Sequence, residues 1–201
     1  VFIFDGVNAT ITSDGTATII DGQVFTGNNA TMTIDGWKFE NTMDAIVLES
    51  EGNVINNTVI NINSEDAIHA IYVYEAGNTI ANTVLNITAP SADVEYNPDY
   101  STKSPAPAAI VISSNNNLVD NVTVTFNANT STGFYPTVDG IYVVSEKTPV
   151  VNNTIKDTTV TVTGTNYVYG INVGNAKDTK LENVTVNVDS LYYADAIQLF
   201  E

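Results

Sequence analysis

The chain has 201 residues and a net charge of −17, with 23 acidic residues against six Lys and no Arg. Because phosphate binding needs clustered cations, this charge excludes nucleic acid as a partner. The sequence contains no Cys, which excludes disulfides and zinc–thiolate sites, and no apolar run approaches the roughly 18–20 residues of a membrane-spanning helix.

Asn, Thr, Val and Ile are abundant, a composition typical of many short strands joined by turns. The N-terminal segment Val1–Phe25 predicts two or more strands, with turns at Asp5-Gly6, Asp14-Gly15 and Asp21-Gly22. We interpret residues 1–32 as an irregular coil or cap, and residues 33–201 as regular repeats of the same single domain.

The main repeat is a small residue, an Ile, any residue and an aliphatic residue, and it occurs six times between Ala45 and Leu199. The six copies begin at Ala45, Ala70, Ala109, Gly140, Gly170 and Ala196. A second strand pattern with an Asn turn follows each full copy. We predict that five Asn residues stack at this turn, where Asn tolerates a left-handed backbone. These residues are Asn57, Asn82, Asn121, Asn153 and Asn183.

Each repeat alone cannot bury its apolar face, whereas stacked repeats form one continuous core. The sequence therefore predicts an all-β fold, a right-handed parallel β-helix of about six coils with long loops on one edge. The chain begins without Met and stops just after the first strand of a sixth copy. We therefore expect it to be part of a longer chain.

These repeats, for example Gly140-Ile141-Tyr142-Val143 followed by Asn152-Asn153-Thr154-Ile155, resemble the parallel β-helix repeats of carbohydrate-binding and sugar-hydrolase proteins. They are most similar to the adhesin-like surface proteins of methanogenic archaea, which also tend to be acidic and rich in Asn and Thr. The resemblance covers roughly Thr33 to Glu201. It implies a cell-surface, extracellular location, whereas the same fold serves many different activities.

The catalytic signatures of that fold are absent from the sequence. The lyases that the chain resembles need an Arg or Lys beside carboxylates, and the hydrolases need an Asp-Asp pair with a nearby His and Arg. This chain has no Arg, no Asp-Asp pair and one His, His69, which we interpret as an exposed loop residue. Four acids, Asp44, Asp66, Asp139 and Asp195, recur near the Ile strand, and we interpret them as solvated turn residues.

Variable loops precede the repeat strands, and their Tyr residues suggest a binding surface. Stacking should bring these loops to one edge, where aromatic rings and carboxylates could contact a sugar or a protein. The predicted contact residues are Tyr72, Tyr96, Tyr100, Phe134, Tyr135, Tyr142, Tyr167, Tyr169, Tyr192 and Tyr193. Among the Asn-x-Ser/Thr sequons, Asn129 in a long loop is the best glycosylation candidate. Asp93, Glu95 and Asp99 match no Ca²⁺-binding loop, so we predict no metal.

Together these patterns predict a non-catalytic adhesin or surface-scaffold module that binds a glycan or another surface protein through the aromatic and acidic loop edge. We expect no cofactor, no catalytic residue and no membrane insertion in this part of the chain. Two alternatives remain open at this point. One is a carbohydrate-active enzyme acting on a neutral glycan, and the other is a structural subunit that associates end to end in an extracellular assembly.

Overall fold

The structure is a computed structural model that describes residues 1–27, 29–93, 95–96, 102–104, 106–145 and 148–200. The side chains of residues 95, 96, 102–104 and 132 are outside this description. The described residues contain twenty-six β-strands, numbered in chain order, and no helix.

Most strands belong to three faces, on each of which strands from successive coils lie side by side in parallel. The first face contains β1 (Phe2–Asp5), β4 (Val24–Gly27), β7 (Ile46–Leu48), β10 (His69–Val73), β15 (Ala108–Ile112), β18 (Thr137–Val144), β22 (Tyr167–Gly174) and β26 (Tyr193–Phe200). The second face contains β2 (Asn8–Thr12), β5 (Thr31–Asp35), β8 (Val54–Asn56), β11 (Thr79–Ala81), β16 (Leu118–Asp120), β20 (Thr154–Lys156) and β24 (Lys180–Glu182).

The third face contains β3 (Thr18–Ile20), β6 (Lys38–Asn41), β9 (Val59–Asn63), β12 (Val84–Ala92), β17 (Thr123–Thr132), β21 (Thr159–Gly164) and β25 (Thr185–Ser190). Four short strands lie outside the faces, namely β13 (Glu95–Tyr96), β14 (Thr102–Ser104), β19 (Val150–Val151) and β23 (Ala176–Lys177). The strands β13 and β14 form a small antiparallel hairpin between β12 and β15.

The core of the solenoid is a stack of aliphatic rows that follow the coil-to-coil register. On the first face, Ile46, Ile71, Ile110, Ile141 and Ile171 are successive partners, and all are fully buried. Parallel pairing separates the members of a row by about 4.8 Å, so the side chains pack in continuous contact. The parallel β-helix predicted from the repeat is confirmed.

The small residue before each of these Ile residues has a packing reason. A Cβ atom added to Gly140 would clash with Val160 Cγ1 and with the carbonyl oxygen of Gly170. At the equivalent positions Ala70 and Ala109 are fully buried within the same core. This residue points into the core as well as the following Ile, so only a small residue fits, and at Gly140 there is no room even for a Cβ atom.

The regular coils begin nearer the N-terminus than the sequence pattern predicts. Strand β1 pairs in parallel with β4 from Phe2, and β2 pairs with β5 over five residues. Residues 1–32 therefore contribute the same three strands as later coils. Eight strands on the first face and seven on each of the others make seven coils and part of an eighth in the described chain, against about six predicted.

The inward orientation predicted for the last coil does not produce burial there. Ile197 is 43% exposed and Leu199 is 72% exposed, because β26 pairs only with β22 and no other described strand lies over it. Conversely, Val111 and Tyr142 face outward as predicted but are buried. With Ala108 and Val144 they form a second apolar cluster on the outer side of the first face.

The predicted Asn turn exists, and its backbone is left-handed. The residues that adopt it have φ values of 48–52° and are Asn57, Asn82, Asn121 and Asn183. Their side chains are exposed and bond from coil to coil, as Asn121 Nδ2 does to Asn82 Oδ1 at 2.7 Å. The predicted Asn stack is interrupted between Asn121 and Asn183, since Asp157 occupies the equivalent position there and accepts from Asn183 Nδ2 at 2.7 Å, and it lies at the surface.

The assignment of Asn153 to that stack is wrong. Strand β16 pairs with β20 so that Leu118 aligns with Thr154, which places Asn153 beside Asn117 and gives the left-handed position to Asp157 (φ 50°). The sequence reading slipped because Asn152-Asn153-Thr154 imitates the Asn turn of the other copies. The true equivalent, Asp157, carries a different residue type.

A second Asn ladder, which the sequence analysis missed, is buried one turn earlier. Each Oδ1 accepts the backbone N–H of the equivalent residue in the preceding coil. Asn78 accepts from Asn53 at 2.8 Å, Asn117 accepts from Asn78 at 2.9 Å, and Asn153 accepts from Asn117 at 2.9 Å. All four are at most 3% exposed. The Asn that recurs at the end of four successive turns between the first two faces is the signal that could have revealed this ladder.

Candidate functional site

Five tyrosines gather on one edge of the solenoid, and we call them the tyrosine cluster. They are Tyr135, Tyr167, Tyr169, Tyr192 and Tyr193. Register brings them together, because β18, β22 and β26 align Thr137 with Tyr167 and Tyr193 at their first residues. The variable segments that carry them are mostly extended strand rather than irregular loop, so the coil spacing carries through to the edge.

Tyr167 lies at the centre of the cluster. Its ring centroid is 6.1 Å from that of Tyr135, 5.4 Å from that of Tyr192 and 5.8 Å from that of Tyr193. Tyr193 also lies 6.2 Å from Tyr169. The ring planes are inclined to one another by 45–76°. These are edge-to-face and tilted contacts, which aromatic rings prefer to direct face-to-face stacking.

The outer members of the cluster are open to solvent. Tyr135 and Tyr192 are each 69% exposed, and the neighbouring Phe134 and Leu191 are 93% and 89% exposed. Single exposed apolar residues need no explanation, whereas several side by side mark an interaction surface. The structure therefore places exposed aromatic and apolar residues side by side at the C-terminal coils, and their role in binding stays a prediction.

The neutral form of two phenols in the cluster, Tyr167 and Tyr193, is favoured. Desolvation by the neighbouring side chains raises the pKa of Tyr167, and its hydrogen bond with Tyr192 acts in the same direction. The pKa of Tyr193 is raised because its hydroxyl donates to Asp195 Oδ2 at 2.9 Å. These rings therefore present uncharged π faces at neutral pH.

Asp93 fixes the aromatic tip of the 133–135 turn. Its two carboxylate oxygens accept the backbone N–H groups of Phe134 and Tyr135 at 2.8 and 2.7 Å. Gly133 has φ of 106°, and any Cβ there would clash with the Asp93 carboxylate. A residue that the sequence analysis considered only as a cation ligand is therefore a positioning residue for the cluster.

Replacing Asp93 by Ala should release this turn. We expect the free energy of unfolding to fall by about 1 kcal/mol, since the freed N–H groups are exposed and can bind water. The nuclear Overhauser effects between the rings of Tyr135 and Tyr167 should weaken strongly. Asp66→Ala, in another exposed turn, is the matched control. Unchanged ring contacts in Asp93→Ala would show that the turn is held without the carboxylate.

Two predicted contact residues, Tyr72 and Tyr142, do not join the cluster. Tyr72 stacks on Tyr74 with centroids 3.9 Å apart and meets the His69 ring edge at 5.4 Å, so its ring contacts lie elsewhere. Tyr142 is 5% exposed and belongs to the buried outer cluster, so its ring is not accessible to a partner. Tyr100 and the side chain of Tyr96 lie outside the described residues.

A small cavity beside the cluster has a buried acid at its wall. The cavity has a volume of about 260 Å³, and its lining includes Asp139, Tyr142, Tyr169 and Asn172. Asp139 is fully buried and accepts a hydrogen bond from Asn172 Nδ2 at 2.9 Å. Asp139 is therefore not the solvated turn residue predicted from the sequence. Burial raises its pKa to about 8 despite the opposing hydrogen bond.

Asp139 and Asn172 each keep one polar atom without a partner. Asp139 Oδ2 and Asn172 Oδ1 are both buried, and both act only as acceptors when the carboxyl is ionised. A proton on Oδ2 supplies the missing donor, so a neutral carboxyl can pair with the amide through two hydrogen bonds. The complete burial of Asp139 also prevents its carboxyl from touching a substrate in this conformation.

His69 is held in place rather than exposed in a loop. It is the first residue of β10 and is half-buried, with Nε2 3.1 Å from the carbonyl oxygen of Ala106. Its backbone N–H donates to Asp44 Oδ1 at 2.8 Å, and burial raises the pKa of Asp44. The interpretation of His69 as an exposed residue is therefore wrong. The neighbouring carboxyl is that of Asp44, in the preceding coil.

The predicted glycosylation candidate borders a polar groove on the same edge, towards the N-terminal coils. Asn129 is exposed in β17, and the groove of about 790 Å³ is also lined by Asn63, Glu65 and Asp66. The edge is thus polar towards the N-terminal coils and aromatic towards the C-terminal coils. Glycosylation of Asn129 stays a prediction. The accessible side chain that it requires is present.

The comparisons with known proteins identify no relative, since no family model, curated protein or solved structure matches the chain. Within the described residues, no group of three His, Asp or Glu side chains is arranged to hold a metal ion. None of the described segments is a helix long and apolar enough to cross a membrane.

Proposed function

We propose that the chain is a non-catalytic recognition module of an extracellular surface protein, and that it binds its partner through the tyrosine cluster. The observation that carries the proposal is the group of ring contacts around Tyr167, which stacking of β18, β22 and β26 presents at an exposed edge. Tyr residues give a large contact area at low conformational entropy, which is why recognition surfaces are rich in them.

The rigidity of the site supports recognition. The cluster stands on three paired strands, and Asp93 fixes the turn that carries Tyr135. A preorganised surface loses little conformational freedom on binding, so more of the contact energy appears as affinity. The extracellular location rests on the resemblance of the repeats to adhesin-like surface proteins of methanogenic archaea.

A triple replacement of Tyr135, Tyr167 and Tyr192 by Ala tests this function. Binding would be measured on arrays of immobilised glycans and of peptides, with the wild-type chain as reference. For each ligand that the wild-type chain binds, we expect the affinity of the triple variant to be lower by at least about tenfold, since buried aromatic side chains contribute most of the binding energy of interfaces. Tyr74→Ala, an exposed ring outside the cluster, is the control. Equal binding by the triple variant and wild type would place the function elsewhere on the molecule.

A further inference from the structure

We propose that the tyrosine cluster binds a cationic side chain, an arginine or a lysine, of a partner protein. This inference rests on the proposed function, because it concerns the same surface and names the chemistry that the surface recognises. It separates two partners that the sequence alone left open, a glycan and a protein.

The orientation of the rings favours a compact cation over a sugar. A sugar binds by laying a flat apolar face on a ring, and a chain of sugars needs successive rings that lie nearly in one plane. The rings around Tyr167 are instead inclined by 45–76°. Inclined rings form no single flat platform, whereas a compact cation needs only one exposed ring face, which attracts it from within about 6 Å of the ring centroid. Tyr135 and Tyr192, each 69% exposed, offer such faces.

One hydroxyl group of the cluster is already engaged with a neighbouring carboxylate. Tyr193 donates to Asp195 Oδ2 at 2.9 Å. Sugar recognition depends on polar groups that are free to bind ring hydroxyls. The phenol of Tyr193 is committed to Asp195, so its π face and edge are what remain for a partner, and the carboxylate adds negative charge beside the ring.

Carboxylates next to the cluster attract a cation. Segments 133–144, 163–174 and 189–200, which carry the five tyrosines, contain no Lys and no Arg. Asp195 lies against Tyr193 and Asp93 against the backbone of Tyr135. The net charge of −17 adds a long-range field that draws a basic partner towards the surface.

An arginine peptide and its neutral counterpart give the decisive comparison. The probes are an end-capped Gly-Gly-Arg-Gly-Gly peptide, the same peptide with citrulline in place of arginine, and cellohexaose as a neutral oligosaccharide. Citrulline keeps the shape and most of the hydrogen-bonding groups but carries no charge. Binding would be followed by shifts of the tyrosine ring signals in NMR spectra. We expect the arginine peptide to bind on the order of tenfold more tightly than the citrulline peptide.

Variants at the central ring test where the cation binds. Tyr167→Phe retains the π face and should keep the arginine affinity, whereas Tyr167→Leu should lower it on the order of tenfold. Both variants are checked for an unchanged backbone spectrum. The arginine affinity should also fall as ionic strength rises, because an exposed charge is screened.

The outcomes separate this inference from the proposed function. Equal affinity for the arginine and citrulline peptides, or equal loss in Tyr167→Phe and Tyr167→Leu, would overturn the cation site. Binding of cellohexaose that depends on Tyr167, without binding of the arginine peptide, would overturn it and leave the recognition function standing. If no ligand on the arrays depends on the cluster, the proposed function itself fails.

Discussion

Replacing Asp139 by Asn is expected to stabilise the protein strongly in alkaline solution and to remove a large part of its pH dependence. Asp139 has a pKa of about 8 in the folded chain, against an ordinary 3.8. The folded state therefore holds the proton more tightly than the unfolded state. As the pH rises from about 4 to about 8, the unfolded state gains the charged form first, and the free energy of unfolding falls by about 1.4 kcal/mol per pH unit.

The expected difference between Asp139→Asn and wild type is on the order of 5 kcal/mol at pH 9 and small at pH 4. Asn is nearly isosteric with Asp, and its amide can donate to Asn172 Oδ1, so the buried pair stays satisfied without a proton. Urea denaturation between pH 4 and pH 9 would measure the difference directly. Asp66→Asn, at an exposed position, is the control for loss of one charge from an acidic chain.

The sign of the result is what tests the buried acid. A stabilisation by Asp139→Asn that grows with pH supports a neutral carboxyl in the folded chain. A difference that stays constant across the range would mean that Asp139 is already ionised at neutral pH. In that case the unpartnered oxygens would need another donor, and the acid–amide pair would be the wrong description.

Replacing Asn153 by Ala should destabilise the protein by about 2–4 kcal/mol, because it leaves buried groups without partners. Asn153 Oδ1 accepts the backbone N–H of Asn117, and its Nδ2 donates to the carbonyl oxygen of Ser114 at 2.9 Å. The Asn117 N–H cannot turn to water, since Asn153 and Asn117 are almost fully buried.

Asn121→Ala is the matched comparison from the exposed ladder. It removes a surface hydrogen bond and places Ala in a left-handed conformation, with a loss of about 1–2 kcal/mol. The denaturation midpoints of the two variants, compared where the dependence on denaturant is the same, would show which substitution lowers the free energy of unfolding more. Equal losses would contradict the distinction between a buried and an exposed ladder.

The sequence alone determined the parallel β-helix, and the reason is periodicity. Ile71, Ile110 and Ile141 recur because every coil must place the same apolar side chain on the same inner row. The clustering of tyrosines at one edge followed from the same logic, since equivalent positions of stacked repeats lie side by side. Asn82 and Asn121 were predictable for the equivalent reason, because a left-handed turn favours Asn.

Only the tertiary structure decided the features that depend on the register between coils and on which residues pack over the outer side of each face. The strand register places Asn153 in the buried ladder rather than in the exposed turn. The sequence did not reveal this, because neighbouring Asn and Thr residues in the 152–158 segment make both alignments of the repeat look alike. Burial of Tyr142 and Asp139 on the outer side of a face could not be predicted, since period-two alternation identifies the side of a strand but not what packs against it. The hydrogen bonds from Phe134 and Tyr135 to Asp93 span 41 and 42 positions of the sequence, and no local pattern predicts such a contact. Local periodicity thus fixed the coil, while packing between coils decided which polar residues became structural and which aromatic residues remained available to a partner.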